Sequence, residues 1–222
     1  AGGIYPLRPG TNDQGSWDVG CVPHFLPGYR PIDNNANSEI TQLWGSVLPQ
    51  DNGFGTLEIF PSIAKGEIKA MLIMGDSPNF SNGELGEVVD CVKDLDFLIV
   101  QDSFLTEIGK QADVVLPSVT FAEKDGTLTN LERRVQPLKK ALDVSNSLAM
   151  PDWWIISEIA KAMGFSTFDY HCAAQVLNEI SNVIPFYAGI KYERLVSKEG
   201  LLQPVGVPNF PIPSQLIPTP GG

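Results

Sequence analysis

The chain has 222 residues, of which 43% are hydrophobic and 18% are charged, and its formal net charge is -11. This composition is typical of a folded protein with an apolar core, whereas the negative charge argues against binding to nucleic acid or to an anionic membrane surface. No apolar run approaches the ~20 residues that a membrane-spanning helix needs, and the N-terminus lacks the pattern of a signal peptide. The chain does not begin with Met, and we interpret it as a piece of a longer protein.

The cysteines and histidines are too scattered to indicate a metal site. No two of the cysteines, Cys21, Cys91 and Cys172, stand at C-x-x-C spacing. This argues against a zinc or iron–sulfur centre in this segment. Their separation is typical of a reducing compartment rather than of a disulfide framework, so we expect a cytoplasmic protein. His24 and His171 are isolated, and we interpret both as structural residues.

The N-terminal segment is predicted to be ordered but irregular. Residues 1–35 are rich in Gly, Pro, Asn and Asp, which favour turns over regular helices. Trp17, Phe25 and Tyr29 give this segment apolar surface to bury, so we do not expect it to be disordered.

The middle of the chain has the pattern of an α/β fold. Ile68–Met74 is almost continuously apolar, which predicts a strand that is covered on both faces. Ser81 followed by Glu84 is a capping box that opens a helix. The alternation predicts a doubly wound, mainly parallel sheet flanked by helices. The predicted order is a helix at 57–65, a strand at 68–74, a helix at 81–93, a strand at 97–100, a helix at 106–111 and a strand at 113–116.

The C-terminal part is predicted to be helical and then extended. Pro151 and Gly164 stand where a helix begins and ends, and Ile155, Ile159 and Met163 form an apolar stripe between them. A second helix is predicted at 173–181. The predicted segments are thus an irregular loop segment over the site at 1–56, an α/β core at 57–145, a helical extension at 146–203 and a Pro-rich linker or arm at 204–222.

The carboxyl ends of the predicted strands are where a ligand is expected, because open α/β sheets bind ligands beyond that edge. Gly75 ends the first strand, and without a Cβ it lets backbone amides approach an anion such as phosphate. Asp102 ends the second strand, and its carboxylate suits the N1–H and N2–H₂ edge of guanine or a ribose diol. The alternative is that Asp102 and Thr106 only cap the following helix. Asp76 precedes a Ser-Pro turn and is typical of an Asx turn.

The arginines allow two interpretations from the residues alone. Arg8 lies in the first loop, where surface arginines are usually solvated. Arg133 and Arg134 form either an anion clamp or an exposed pair, and the pattern favours exposure for at least one of them.

Several sequence blocks, in order, resemble the large subunits of molybdopterin-dependent oxidoreductases. The first block is PLRPGTNDQGSWDVGCVPHFLPGY, and it is followed by IMGDSPNF, LIVQDSFLTEIGKQADVVLPS, FAEKDGTLTNLERRVQ, DWWIISEIAKAMGF and YERLVSKEGLLQPV. The resemblance is strongest to the formate dehydrogenase α subunit, with the related subunit of NADH–quinone oxidoreductase next. It covers nearly all of the chain as far as Val205.

The resemblance implies a bis-molybdopterin guanine dinucleotide cofactor carrying molybdenum or tungsten. In that family a Gly-Asp-x-Pro turn and a Gln-Asp strand end contact one pterin dinucleotide, and a further block lies near the pterin. The corresponding residues here are Gly75, Asp76, Ser77, Asp102 and Thr106 for the first group, and Glu123, Gly126, Thr127 and Asn130 for the second. The resemblance therefore favours ligand binding over simple capping at Asp102.

The resemblance also implies an activity, the oxidation of formate to carbon dioxide. Arg8 matches the family arginine that orients the substrate, and its planar fork of donors fits a small carboxylate bidentately. The implied partners are the remaining domains of the large subunit with their 4Fe–4S cluster and metal ligand, iron–sulfur electron-transfer subunits and a small-molecule substrate. The isolated chain is expected to be inactive because it carries neither the metal ligand nor the electron path.

The loop after Arg8 departs from the formate-specific pattern and supports an alternative. Pro9 and Gly10 stand where that pattern has glycine and glutamine. The alternative is a non-catalytic structural segment of a complex I-like NADH–quinone oxidoreductase.

Overall fold

The computed structural model describes residues 10–32, 40–75, 90–130, 133–143 and 147–197. Within these ranges every helix is too short or too polar to cross a bilayer. The predictions that lie outside these ranges concern Arg8, Asp76, Ser77, most of the helix at 81–93 and the linker at 204–222.

The elements alternate between helix and strand along the central part of the chain. In chain order they are α1 (Asp13–Asp18), β1 (Phe25–Leu26), β2 (Arg30–Pro31), α2 (Thr56–Ala64), β3 (Ala70–Met74), β4 (Phe97–Asp102), β5 (Val114–Pro117), β6 (Gly126–Thr129), β7 (Val135–Leu138), α3 (Asp152–Ala162), α4 (Ala173–Val183) and α5 (Tyr192–Val196). Short 3₁₀ turns occur at Val92–Asp94, Gly109–Gln111, Phe121–Glu123 and Pro185–Tyr187.

The central feature is a three-stranded parallel sheet in the order β3-β4-β5. Met74 pairs with Gln101, and Asp102 pairs with Pro117, so all three strands end at the same edge. The predicted strands match these three to within two residues at each end. The α/β fold class with a parallel sheet is therefore confirmed.

One face of this sheet carries the apolar core of the α/β part. Leu98 and Val100 of β4 are buried there together with Val92 and Ile108. Val92 belongs to the connection from β3 to β4, and Ile108 to the connection from β4 to β5. Because parallel crossovers are right-handed and these strands stand in chain order, both connections are expected on the same face, as found.

The opposite face of the sheet exposes large apolar side chains. Leu72 is 41% exposed, Phe97 is 43% exposed and Val114 is 36% exposed. Leu72 stands between Met71 and Ile73, which pack on the core face, and Phe97 precedes the buried Leu98. Val114 pairs with Ile99, which lies on the same face as Phe97, so all three belong to the other face. The prediction that Ile68–Met74 is covered on both faces is therefore wrong for this chain, because the described parts of both connections pack on the opposite face from Leu72.

The helix predictions are confirmed for three of the longer helices, α2, α3 and α4. The helix predicted at 106–111 is shorter than expected and consists of the 3₁₀ turn Gly109–Gln111, because the chain is already extended at Ala112, where it leads into β5. Met163 does not belong to a buried stripe and is 71% exposed. It is the C-cap of α3, next to Gly164, whose φ of 93° ends the helix.

A second apolar core joins the N-terminal segment to the C-terminal helices. It includes Val135 of the antiparallel hairpin of β6 and β7, which the sequence did not predict. Trp17, Phe25 and Tyr29 are half-buried, as expected of an ordered N-terminal segment. The buried members of this core are Leu26, Ile40, Val135, Leu177, Val183, Ile184, Tyr187, Ile190 and Leu195.

Candidate cofactor-binding site

The carboxyl edge of the sheet brings together two residues predicted to bind the cofactor. Asp102 is the last residue of the central strand, and Gly75 directly follows the neighbouring strand. The Gly75 amide donates to the Gln101 carbonyl at 2.7 Å, and the Ser118 amide donates to the Asp102 carbonyl at 3.0 Å. These bonds tie the three strand ends into one rim, which is the part of an open α/β sheet where ligands bind.

Gly75 is required at this rim by its backbone conformation. Its φ is 59°, in the left-handed region that side-chain-bearing residues rarely adopt. A Cβ added at Gly75 would meet no atom of the described residues within 4 Å. The end of β3 is therefore a sharp turn at the rim, next to the strand that ends in Asp102.

The Asp102 carboxylate is oriented by the loop that follows it. Its Oδ1 accepts a hydrogen bond from the Phe104 amide at 2.9 Å, which forms an Asx turn. Within the described residues its Oδ2 accepts no hydrogen bond, and the side chain is half-buried. Phe104 is 75% exposed and Leu105 is 63% exposed, so apolar side chains stand beside the acidic group.

Thr106 acts as a cap in this structure. Its Oγ1 accepts a hydrogen bond from the Gly109 amide at 3.0 Å at the start of the 3₁₀ turn. This is the capping role left open by the sequence, whereas the Asp102 carboxylate bonds to the loop before that turn. The cofactor-binding role of Thr106 stays a prediction.

The sequence analysis missed a polar cluster below the rim, which consists of Gln101, Lys124 and Asp152. Gln101 is fully buried, and its Nε2 donates to Asp152 Oδ1 at 2.8 Å. Lys124 Nζ donates to the other carboxylate oxygen, Asp152 Oδ2. Gln101 Oε1 has no hydrogen-bond partner within the described residues. The Gln-Asp pair at a strand end and the acidic residue after Pro151 were the available signals.

Two backbone hydrogen bonds hold the start of α3 next to the end of β5. The Met150 amide donates to the Pro117 carbonyl at 3.1 Å, and the Val119 amide donates to the Met150 carbonyl at 3.2 Å. Residue 152 is therefore held beside the strand ends although it lies far from them in sequence.

The second predicted group of cofactor residues lies on the segment that leads into the hairpin. Glu123 Oε2 accepts hydrogen bonds from the Thr120 amide at 2.7 Å and from the Thr120 hydroxyl at 2.9 Å. These bonds, the backbone one first, hold the pKa of Glu123 below its ordinary value. Gly126 and Thr127 are the first two residues of β6. Their roles and that of Glu123 toward a cofactor stay predictions.

Asn130 closes the turn between β6 and β7. Its Oδ1 accepts a hydrogen bond from the Arg134 amide at 2.9 Å, and its carbonyl accepts one from the Arg133 amide at 2.9 Å. The Arg133 side chain is 41% exposed, in keeping with the predicted exposure of at least one of the two arginines. Arg133 pairs with the buried carboxylate of Asp18, which lies far away in sequence.

The described residues contain no group of three or more His, Cys, Asp or Glu side chains arranged to hold a metal ion.

The comparisons with known proteins show the family of this chain. The family model described as molybdopterin oxidoreductase matches residues 18–162, and the chain belongs to this family. It is 39% identical, over 94% of its length, to the F420-dependent formate dehydrogenase 2 subunit alpha of Methanococcus maripaludis. It is 41% identical, over 87% of its length, to the F420-dependent formate dehydrogenase subunit alpha of Methanocaldococcus jannaschii, and 38% identical, over 87%, to a putative formate dehydrogenase of Bacillus subtilis.

The chain spans only part of these relatives. It covers 31% of the Methanococcus maripaludis protein, 28% of the Methanocaldococcus jannaschii protein and 20% of the Bacillus subtilis protein. Among solved structures, acetylene hydratase from Pelobacter acetylenicus is similar with a TM-score of 0.51 and 16% sequence identity. That likeness covers 72% of this chain and 22% of the hydratase, and it supports the fold alone.

Proposed function

We propose that this chain holds one guanine dinucleotide arm of a bis-molybdopterin guanine dinucleotide cofactor, carrying molybdenum or tungsten, in an enzyme that oxidises formate. The observation that carries the proposal is the Asp102 carboxylate at the end of the central strand. One oxygen is fixed by the Phe104 amide, and the other accepts nothing within the described residues. Family membership supports a molybdopterin cofactor, and the guanine dinucleotide form belongs to the proposal.

The chemistry of Asp102 fits a guanine base. An ionised carboxylate only accepts hydrogen bonds, and guanine presents two adjacent donors, N1–H and N2–H₂. The Asx turn to Phe104 restricts the rotation of the carboxylate, so the acceptor edge is oriented before the ligand arrives. The same loop exposes the Phe104 ring, and aromatic rings are good stacking surfaces for bases. A ribose diol would use the carboxylate but not the ring, so guanine is favoured.

The surroundings of Asp102 also fit a bulky dinucleotide. At Gly75, on the strand next to that of Asp102, no atom of the described residues lies within 4 Å of where a Cβ would stand, so a phosphate could approach the backbone there. Beneath the rim, the bonds from Gln101 and Lys124 to Asp152 fix the end of β4 and the start of α3. The unsatisfied Gln101 Oε1 leaves one buried acceptor for a donor that the described residues do not supply.

Formate is the proposed substrate because the relatives cited above are named formate dehydrogenases. When bound, the metal cofactor would supply the two-electron redox chemistry, and the iron–sulfur centres of the complete protein would receive the electrons. Arg8 is proposed to orient the formate carboxylate with its planar fork of donors. Candidate partners are the remaining domains of the large subunit and iron–sulfur electron-transfer subunits.

The proposal is tested on the complete subunit. Metal analysis and mild hydrolysis should find molybdenum or tungsten in stoichiometric amount together with GMP released from the cofactor. Formate should then reduce an artificial electron acceptor. Metal and GMP without formate-dependent reduction would reject the substrate but keep the cofactor assignment. Absence of both metal and GMP would favour the non-catalytic structural segment, which the altered loop after Arg8 supports.

A further inference from the structure

The Asp18 carboxylate lies where segments distant in sequence meet. Its side chain is only 2% exposed. Its Oδ1 accepts hydrogen bonds from the Tyr29 hydroxyl at 2.7 Å and from Gln14 Nε2 at 2.8 Å. Its Oδ2 accepts one from the Tyr187 hydroxyl at 3.0 Å, and Arg133 Nη2 lies 3.3 Å from Oδ1. We call these five residues the Asp18 cluster.

Two members of the Asp18 cluster have a strained backbone. Tyr29 has a φ of 59° and Arg133 a φ of 62°, and within the described residues they alone among non-glycine residues have positive φ. Such conformations persist only where surrounding contacts fix them, and they concentrate at functional sites. Both strained residues donate to the same carboxylate. The Asp18 carboxylate therefore helps to hold the backbone of Tyr29 and of Arg133 in these conformations.

The Asp18 cluster holds the turn end of the β6–β7 hairpin. The Tyr187 hydroxyl lies 2.8 Å from Thr129 Oγ1, and the Thr129 amide donates to Asn12 Oδ1 at 2.8 Å. Arg133, which follows the turn, is bound by Asp18 and lies over the Phe186 ring at 5.7 Å. The residues on either side of Asn130 are thus anchored to α1 and to the Pro185–Tyr187 turn.

We infer that Asp18 is a positioning residue that fixes this turn and thereby sets the placement of Asn130 relative to the pterin. The inference rests on the proposed function, because Asn130 is assigned to the pterin side by resemblance. A gain in stability does not explain why a carboxylate is buried here. The free energy of its contacts does little more than offset the cost of removing the charge from water. What the cluster supplies is a defined geometry shared by the hairpin and α1.

The inference is tested in the complete, cofactor-loaded subunit with three conservative variants. Tyr187→Phe and Thr129→Val each remove the hydroxyl bond between the cluster and the hairpin. Tyr29→Phe is the matched control, because it also removes a hydroxyl donor to Asp18 but has no bond to the hairpin among the described contacts. The readouts are the rate of cofactor release during dialysis and the amide hydrogen exchange of residues 126–138.

Tyr187→Phe and Thr129→Val should each release the cofactor several-fold faster, with faster exchange in the hairpin. Thr129→Val should add little on top of Tyr187→Phe, because Tyr187→Phe already removes the bond between Tyr187 and Thr129 together with the bond to Asp18. Tyr29→Phe should behave like the parent. Equal effects in all three variants, or none in the two hairpin variants, would overturn the inference.

Failure of the inference is distinguishable from failure of the proposed function. Silent hairpin variants in a subunit that contains metal and GMP would reject the role of Asp18 alone. A subunit without cofactor would reject the proposed function and, with it, the role assigned to Asn130.

Discussion

The side-chain amide of Gln101 donates a hydrogen bond to Asp152 Oδ1 at 2.8 Å, which joins the end of β4 to the first residue of α3. Gln101 has no exposed surface, and the second oxygen of Asp152 is bound by Lys124. The contact explains why a helix that follows a long irregular stretch begins at the rim of the sheet. It also places a buried amide directly beside Asp102.

Replacing Asp152 should therefore destabilise the fold in a graded way. Asp152→Ala removes the acceptor of a fully buried amide, and an unsatisfied buried group costs about 1–3 kcal/mol. Asp152→Asn keeps one acceptor oxygen for Gln101 but loses both the charge and the hydrogen bond to Lys124. Its loss should be smaller, because Lys124 is partly exposed and can turn to water whereas Gln101 is fully buried. Chemical denaturation measures both free energies of unfolding. Equal losses would show that the bond to Gln101 contributes little.

Stability should fall at alkaline pH because of buried tyrosines. Burial first, and then the Asp18 charge, raise the pKa of Tyr187 above its ordinary value of 10.0. The folded state therefore keeps a proton that the unfolded chain releases, so this stability is complete below pH 10.0 and is lost progressively above it. The midpoint of thermal unfolding, followed from neutral to alkaline pH, should decline less steeply in Tyr187→Phe. An unchanged slope in that variant would contradict this assignment.

The two faces of the sheet should respond differently to the same substitution. Leu98→Ala opens a cavity in the packed face and should cost about 2–5 kcal/mol. Leu72→Ala removes a side chain that is already 41% exposed and should cost much less. It should also lower the binding of a hydrophobic fluorescent dye, because the open face is apolar. Comparable losses of stability would mean that the Leu72 face is packed in solution.

The sequence predicted the parts of this fold that depend on local pattern. Three apolar runs located β3, β4 and β5, and the polar residue ending the middle run located Asp102 at the rim. It missed the β6–β7 hairpin, because that segment is mostly polar and its buried Val135 and Thr129 acquire partners only in three dimensions.

The local sequence pattern also could not predict the Asp18 cluster. Asp18 receives bonds from residues separated by 11 and by 169 positions in the chain, Tyr29 and Tyr187. Nothing around Asp18 in sequence marks it as buried, since short polar stretches in loops are ordinarily solvated. The pairing of the partly exposed Arg133 with this buried carboxylate was likewise not indicated by the local sequence.

The most direct test of the account compares two aspartates at opposite ends of the sheet. Asp102 and Asp113 each accept one backbone amide, from Phe104 at 2.9 Å and from Leu98 at 2.7 Å, but only Asp102 lies at the carboxyl edge. Each is changed to Asn in the complete subunit, and the metal and GMP content is measured. Hydrogen bonds to a charged group contribute roughly 1.5–3 kcal/mol, so Asp102→Asn should lose most of its cofactor while Asp113→Asn keeps it. Full cofactor content in a folded Asp102→Asn subunit would contradict the account.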